Sequence, residues 1–415
     1  TLDDSLFSRN NTFIGGVNYD FSKNSFGSST ELGILQSDRG VQGTGVFVST
    51  DEEGEEQFIT NMESTTHNVA LYGSNTLDLD EDTSLNISAR WNWASMKMDD
   101  QHGTALEGHH FFYRINPGVG IVRNYGDIKV FASYKESSRT PSIAELACAD
   151  PNAPCRLPNS FQADPPLDQV VNRNFEFGAS GSKLFGSDHL VNWNVAAFAG
   201  RNYNDIIFIG GNRLGTGYFR NVGNTQRAGT ELALNGRLGE KWTWFTKYSY
   251  VNATFKTSQN ISSVGHPTNT FDEDDFDDNE LREGFQIPIK NGDVIPGISP
   301  HIGRLGLGYN PTDNWNIGFD IEANSSKFFG GDENNTGGQK VAGYFLLNLS
   351  SEYIIKSPRQ KFDTVVFFDA RNILNENYET GGLFAENEVS GTGGSGTFVT
   401  PGQPLTIMGG MHLRW

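Results

Sequence analysis

Along much of this chain apolar and polar residues alternate with a period of two. In PLTIMGGMHLRW, residues 404–415, Leu405, Ile407, Gly409, Met411 and Leu413 fall on one side. Thr406, Met408, Gly410, His412 and Arg414 fall on the other, with Trp415 last. KWTWFTKYSYV sets Trp242, Trp244, Thr246, Tyr248 and Tyr250 against Thr243, Phe245, Lys247 and Ser249. LVNWNVAAFAG sets Val191, Trp193, Val195 and Ala197 against Asn192, Asn194 and Ala196, and DTVVFFDARN puts Asp363, Asp369 and Arg371 on the side of Val365 and Phe367. A strand turns successive side chains to opposite faces, so each segment predicts a strand with one apolar and one polar face. Strands of about ten residues with this pattern build membrane-spanning barrels, apolar side to lipid and polar side to a lumen. Any one of them alone would also suit a soluble sandwich.

The connections separate the two. Strands are predicted near 12–21, 28–37, 67–77, 84–95, 109–122, 127–137, 171–181, 188–201, 225–237, 241–255, 299–309, 314–325, 340–353, 361–374 and 404–415. Between them short, turn-rich links (22–27, 78–83, 123–127, 182–188, 237–241, 310–314 and 356–360) alternate with long ones at 38–66, 98–108, 138–170, 202–224, 256–298, 326–339 and 375–403. Asn, Asp, Gly and Pro dominate the short links, as turn chemistry requires. Short turns on one side and long loops on the other are the habit of outer-membrane barrels, whereas a sandwich has no reason to sort its loops. The pattern therefore predicts an all-β, transmembrane antiparallel β-barrel of about 15 strands, with long loops extracellular and the C-terminus periplasmic. Complete single-chain barrels have even strand numbers, so an odd count predicts part of a larger barrel, such as one of 22 strands. A self-contained passive porin of 14 or 16 strands is the alternative.

Composition narrows the classes further. No apolar run approaches the roughly 20 residues of a membrane helix. A mean hydropathy of -0.46 is what alternating faces produce. The net charge of -19 leaves no basic surface for nucleic acid. The opening TLDDSLFSRNN carries no signal-peptide pattern. Cys148 and Cys155 enclose a short proline-containing loop with no histidine, which favours a disulfide in an oxidising compartment over a metal site.

Four stretches resemble the barrel of TonB-dependent outer-membrane receptors. They are YKESSRTPSIAEL (Tyr134 to Leu146), VVNRNFEFGASG from Val170, YFRNVGNTQRAGTELAL with Asn221, Gly223, Gly229 and Glu231, and FFDARNILNENYE with Asn372, Leu374, Asn375 and Tyr378. The chain departs from the family in ending on Trp415 rather than Phe, and around Pro166 to Gln169. The resemblance implies that residues 1–415 are the C-terminal part of the barrel, with the plug domain and first barrel strands absent from this sequence. It also implies active uptake of a scarce nutrient such as a ferric siderophore, a partnership with the TonB complex through the plug, and contact with the lipid bilayer and lipopolysaccharide.

No catalytic constellation or cofactor motif stands out, so the chain is not expected to be an enzyme; an outer-membrane lipase or protease would need a nucleophile and base that are not visible. Arg139, Arg201, Arg213, Arg220 and Arg227 are candidate ligand-contacting cations at the rim, within a wider set that includes Arg156 and Arg173. Asp272, Asp274, Asp275 and Asp277, in FDEDDFDDNELREG, offer hard oxygen donors for a cation but lack the spacing of a calcium loop. His102, His109 and His110 gather near one predicted loop and are read as polar loop residues, with metal or heme capture as the sharper alternative.

Overall fold

The computed structural model describes residues 2–6, 9–29, 31–38, 40–47, 60–101, 106–147, 167–186, 188–210, 217–263, 265–268, 286–356, 362–386 and 395–414. Fifteen strands form one antiparallel sheet, each paired with the next wall strand in the chain. They are β1 Leu2–Leu6, β2 Arg9–Ser28, β3 Thr60–Asp78, β4 Thr83–Asp100, β5 Gly108–Tyr125, β6 Ile128–Arg139, β7 Val170–Phe185 and β8 His189–Tyr203, followed by β9 Thr225–Leu238, β10 Trp242–Phe255, β11 His301–Thr312, β12 Trp315–Asn324, β13 Tyr344–Ile355, β14 Asp363–Arg371 and β15 Thr406–Arg414. Among the described residues no pairing joins β1 to β15, so the sheet is an open wall. No helix is long and apolar enough to cross a membrane.

Two expectations at the start of the chain are corrected. Residues 22–27 are not a turn; they lie inside β2, where Lys23 sits opposite Thr65 and Phe26 opposite Met62. The strand expected at 28–37 is not in the wall. Glu31–Leu35 pairs with Val41–Phe47 as a hairpin of its own, and Leu2–Leu6 takes the place in the wall. The total of fifteen stands because one miss offset the other. The physical cause is length: β2 has 20 residues, or roughly 65 Å of strand, against a hydrocarbon layer of about 30 Å. Its upper part stands beyond any membrane, where turn-forming Ser and Asn are tolerated on both faces.

Register assigns every side chain to a face, because Cα partners across an antiparallel ladder point the same way. One continuous face runs through Val17, Leu71, Trp91 and Ile115. It continues through Tyr134, Phe175 and Ala199, then Leu232, Tyr248 and, further round, Leu305, Ile321 and Leu347, reaching Val366 and Met411. Many of its large apolar side chains are exposed, including Val17, Ile115, Phe177 and Met411. A soluble protein would not leave so large a face uncovered; lipid covers it. Aromatic residues mark both margins: Trp242 stacks on Tyr309 and Trp315 meets Tyr353 near the short turns, while Trp93 and Phe111, and Tyr134 and Phe175, pair toward the other rim. These are the two interfacial belts of a barrel.

The opposite face is polar. Asn68, Asn92 and Arg114 lie on it, as do Lys135, Asn174, Glu231 and Lys247, and Arg304, Asp320 and Asn348. Arg304 holds Asp320 through two guanidinium nitrogens, and Asn348 adds a third donor at 3.3 Å. The Asp363 side predicted to face the lumen does so, in register with Arg414, while Val366 and Met411 share the outer face.

The buried apolar clusters lie toward the rim of the long connections. Met62, Met96, Met98, Leu106, Leu146, Ala147, Leu167, Val170 and Ile206 form one. Ile209, Tyr218, Val222, Phe255, Ile261, Ile287 and Ile289 form a second, and Phe329, Val341 and Phe384 a third. The described parts of the long connections thus contribute to cores of their own, built on hairpins such as Ile206–Gly210 with Gly217–Asn221 and Gln259–Ser262 with Gln286–Ile289.

Candidate ligand-facing rim and groove

The ladder between β5 and β6 stops short of the rim. It runs from Tyr125↔Ile128 to Gly118↔Lys135, although β6 continues beside β7 as far as Arg139↔Val170. Pro117, which has no N–H to give to a neighbour, stands where the pairing ends. Above it side chains replace backbone: Arg114 donates to Glu136 at 2.6 Å, Asn116 Nδ2 to Ser138 Oγ at 3.0 Å, and Gln169 Nε2 to the Tyr113 carbonyl at 3.1 Å. A groove of about 710 Å³ opens at this split, lined among others by Asp20, Asn68, Arg90, Asn92, Lys135 and Arg139. Its lining mixes both charge signs with amides and hydroxyls, which suits a polar ligand held by many hydrogen bonds rather than a purely anionic one.

The stretches that carried the resemblance are the fasteners of this rim. Ser142 caps α1, Ile143–Leu146, and Glu145 closes a capping box on it. Arg139 grips the same carboxylate at 2.6 and 3.0 Å, which seats Leu146 in the first core. Burial alone would raise the Glu145 carboxyl, but the Arg139 guanidinium and the Ser142 N–H outweigh it and hold it below the usual range. Asn221 accepts from Asp168 N and donates to the Asp168 and Asn204 carbonyls, tying two loops together. Gly223 has a φ of +75°, and a Cβ on Gly229 would collide with the Tyr250 carbonyl, so both positions require glycine. Asn372, buried and at a φ of 49°, donates to the Glu376 and Gln403 carbonyls and accepts from Glu376 N. It makes the corner from which Asn375 reaches Leu405 N and Tyr378 reaches Gln403 N.

Three further loops meet around two fully buried side chains. His266 Nε2 lies 3.2 Å from Asp332 Oδ1, and His266 Nδ1 lies 2.7 Å from Thr268 Oγ1. Gly337 N also donates to Asp332 Oδ1, while Phe384 meets the imidazole edge-on. Next to them Glu333 accepts from Gly331 N, and burial pushes its carboxyl up to about 7. Sequence reasoning missed this group; its parts stand 66 residues apart and no local pattern marks them.

The predicted arginines disperse. Arg139 reaches the groove but is paired with Glu145. Arg227 lies on the lumen face, 3.4 Å from Asp205. Arg220 stands in the hairpin beside Tyr218. Arg201 is on the outer face, in register with Arg173, and so faces away from the lumen. Arg213 and Arg156 lie outside the described residues, as do Asp272, Asp274, Asp275, Asp277, Cys148, Cys155, Trp415 and His102. His109 and His110 face opposite sides of β5, His109 with Ser95 and Phe111, so they do not form one site. Among the described residues no group of three or more His, Cys, Asp or Glu is arranged to hold a metal.

Comparison with known proteins agrees with the β-barrel wall. The family model "TonB dependent receptor-like, beta-barrel" matches residues 1–373. The chain is similar to the solved structure of the ferric-catecholate import receptor Fiu from E. coli K12, at 15% identity and a TM-score of 0.65, covering 99% of this chain and 53% of that one. It is similar to BauA, the ferric preacinetobactin receptor from Acinetobacter baumannii, at 14% identity and a TM-score of 0.63, covering 100% and 52%. It is also similar to the copper transporter OprC, at 14% and 0.61, covering 97% and 54%. The chain spans about half the length of these structures.

Proposed function

This chain belongs to the TonB-dependent receptor family, as part of its β-barrel, and from that premise we propose that it is part of the wall of an outer-membrane receptor for active uptake of a ferric siderophore or a chemically similar scarce nutrient. The observation that carries the reading is the ordered rim: the long connections carry apolar cores and meet beside a polar groove, as a ligand-capturing surface requires. Two of the similar proteins are receptors for ferric ligands and one is a copper transporter, so a metal-bearing solute is the class to test first. In this reading the long connections are external and the short turns and C-terminus periplasmic. Further strands complete a wall of about 22, and a plug linked to the TonB complex gates it. The chain acts without a chemical step. A self-contained porin is not favoured, because the wall is open and the family match covers most of it.

The test is uptake by cells carrying the full-length receptor under iron limitation, with a panel of radiolabelled ferric siderophores and with copper as a comparison. Accumulation of a ferric siderophore that needs both the receptor and TonB is expected. Equal accumulation without TonB would count against active uptake, and a copper-only response would redirect the substrate class.

A further inference from the structure

Three of the chain's five methionines meet on one patch of the lumen face. Met96 and Met98 lie two residues apart on β4 and so share that face, and Met62 stands on it in β3, two residues before the Ser64 that faces Met98. On the other side of β4, Met96 faces His110 of β5 and Met98 faces Gly108. The His110 ring folds back over that glycine: a Cβ on Gly108 would lie 2.7 Å from His110 Nε2. Gly108 thus puts no side chain of its own between the imidazole and Met98. Three thioethers and one ring nitrogen fall on neighbouring positions of three paired strands, within the reach of such long side chains.

Packing alone does not account for this choice of residues. The second rim core is filled by Ile209, Ile261, Ile287 and Ile289 and holds no methionine, as strand positions prefer, whereas here flexible thioethers take three neighbouring strand positions. All three are buried, with exposures of 2, 6 and 4% for Met62, Met96 and Met98. A polar atom is buried with them: among the described residues Ser64 Oγ, opposite Met98, has no hydrogen-bond partner. An apolar core is weakened by such a hydroxyl, while beside a bound cation its lone pairs have a use. The patch also has an approach. Ala94 and Phe112 are the next residues on the same face, away from the rim, and both line the groove of about 710 Å³.

We propose that Met62, Met96, Met98 and His110 form a site for Cu(I) at the rim end of the groove. Thioethers are soft, neutral donors that favour Cu(I) over harder cations, and imidazole adds a nitrogen that copper accepts. Burial suits such an ion, since a single charge is all that has to leave water. Among the described residues histidines, cysteines and carboxylates form no metal-holding group of three, so a thioether set is what the wall offers a metal. The assignment rests on these four side chains and stands whichever solute the receptor imports.

The experiment is competition for Cu(I), supplied as its acetonitrile complex without oxygen, between the full-length receptor in detergent and the chelator bicinchoninate, with X-ray absorption at the copper edge of the loaded protein. The wild type is expected to hold Cu(I) in a sulfur-rich shell with one nitrogen. Met96→Leu and Met98→Leu, which conserve core volume, should each weaken retention by at least about tenfold, and His110→Gln should remove the nitrogen from the shell. Met411→Leu and His109→Gln, both on the outer face, should leave the two readings unchanged. Met98→Cys keeps a soft sulfur and should retain most of the copper, which separates loss of a ligand from loss of packing. Undiminished retention by Met98→Leu and His110→Gln would overturn the proposal, as would a shell without sulfur or Zn(II) held as tightly as Cu(I). Ferric siderophore uptake by Met98→Leu should match the wild type, and its absence from both would count against the receptor reading alone.

Discussion

His266 and Asp332 are both fully buried and joined by a 3.2 Å contact between loops 66 residues apart. Among the described residues Asp332 Oδ2 has no hydrogen-bond partner. The imidazole therefore matters more than one ordinary hydrogen bond, because removing it leaves the buried Asp332 carboxyl, among the described residues, with only the Gly337 N–H. His266→Ala is expected to lower the opening free energy of the 265–268 and 326–341 segments by on the order of 2 kcal/mol, with the wall strands unaffected. Amide hydrogen exchange resolved by peptide checks both halves of that statement.

Beside that pair, the Glu333 carboxyl titrates near 7 in the fold and lower when its loop is open. Its folded value is raised, so the closed loop binds the extra proton between the two values and is relatively stabilised there. That advantage fades as pH rises through about 7. Exchange protection of residues 330–337 should fall from pH 6 to pH 8 more than the chemical exchange rate accounts for. Glu333→Gln should remove the excess dependence.

Glu145 has the opposite sign. Its folded value is depressed, so its contribution is present above the ordinary carboxylate range and is lost as pH falls through the folded value. Arg139→Gln removes the larger of the opposing favourable contacts and should move the Glu145 titration, followed by NMR or by acid-dependent exposure of residues 143–147, back toward ordinary values.

Within the wall, Gly229→Ala forces a methyl group against the Tyr250 carbonyl between two paired strands. A loss of about 1–3 kcal/mol is expected, with Gly303→Ala, where a Cβ meets nothing within 4 Å, as the tolerant control. Urea titration of the folded receptor, read by heat-modifiable gel migration, distinguishes the two.

The faces of the wall were legible because a period of two survives any error in boundaries: the Trp242 and Met411 sides are where alternation put them. The upper part of β2 was not, since above the membrane both faces meet water and Ser22, Asn24 and Ser25 read equally as turn or strand. Arg201 was misread for a related reason. Alternation from Val195 and Ala197 assigns it to the outer face, but proximity to a loop weighed more than parity. Asn221 and Asn372 were recognisable as motif residues, yet their work is done on carbonyls up to 53 residues away, which no local pattern records. The loop cores were likewise hidden, because Met62 finds Leu146 and Leu167 only once the strands between them are laid side by side. Pro117 was the one local sign of the split between β5 and β6, a residue without a donor inside a strand.

That split changes what evolution can adjust. A backbone ladder is indifferent to most substitutions, so the closed part of the wall keeps its shape while its residues drift. Between Arg114 and Glu136, Asn116 and Ser138, and Gln169 and Tyr113, cohesion is written in side chains, one replaceable contact at a time. Small heritable edits there can widen or narrow the groove mouth without refolding the protein, which makes this short stretch the adjustable part of an otherwise fixed wall.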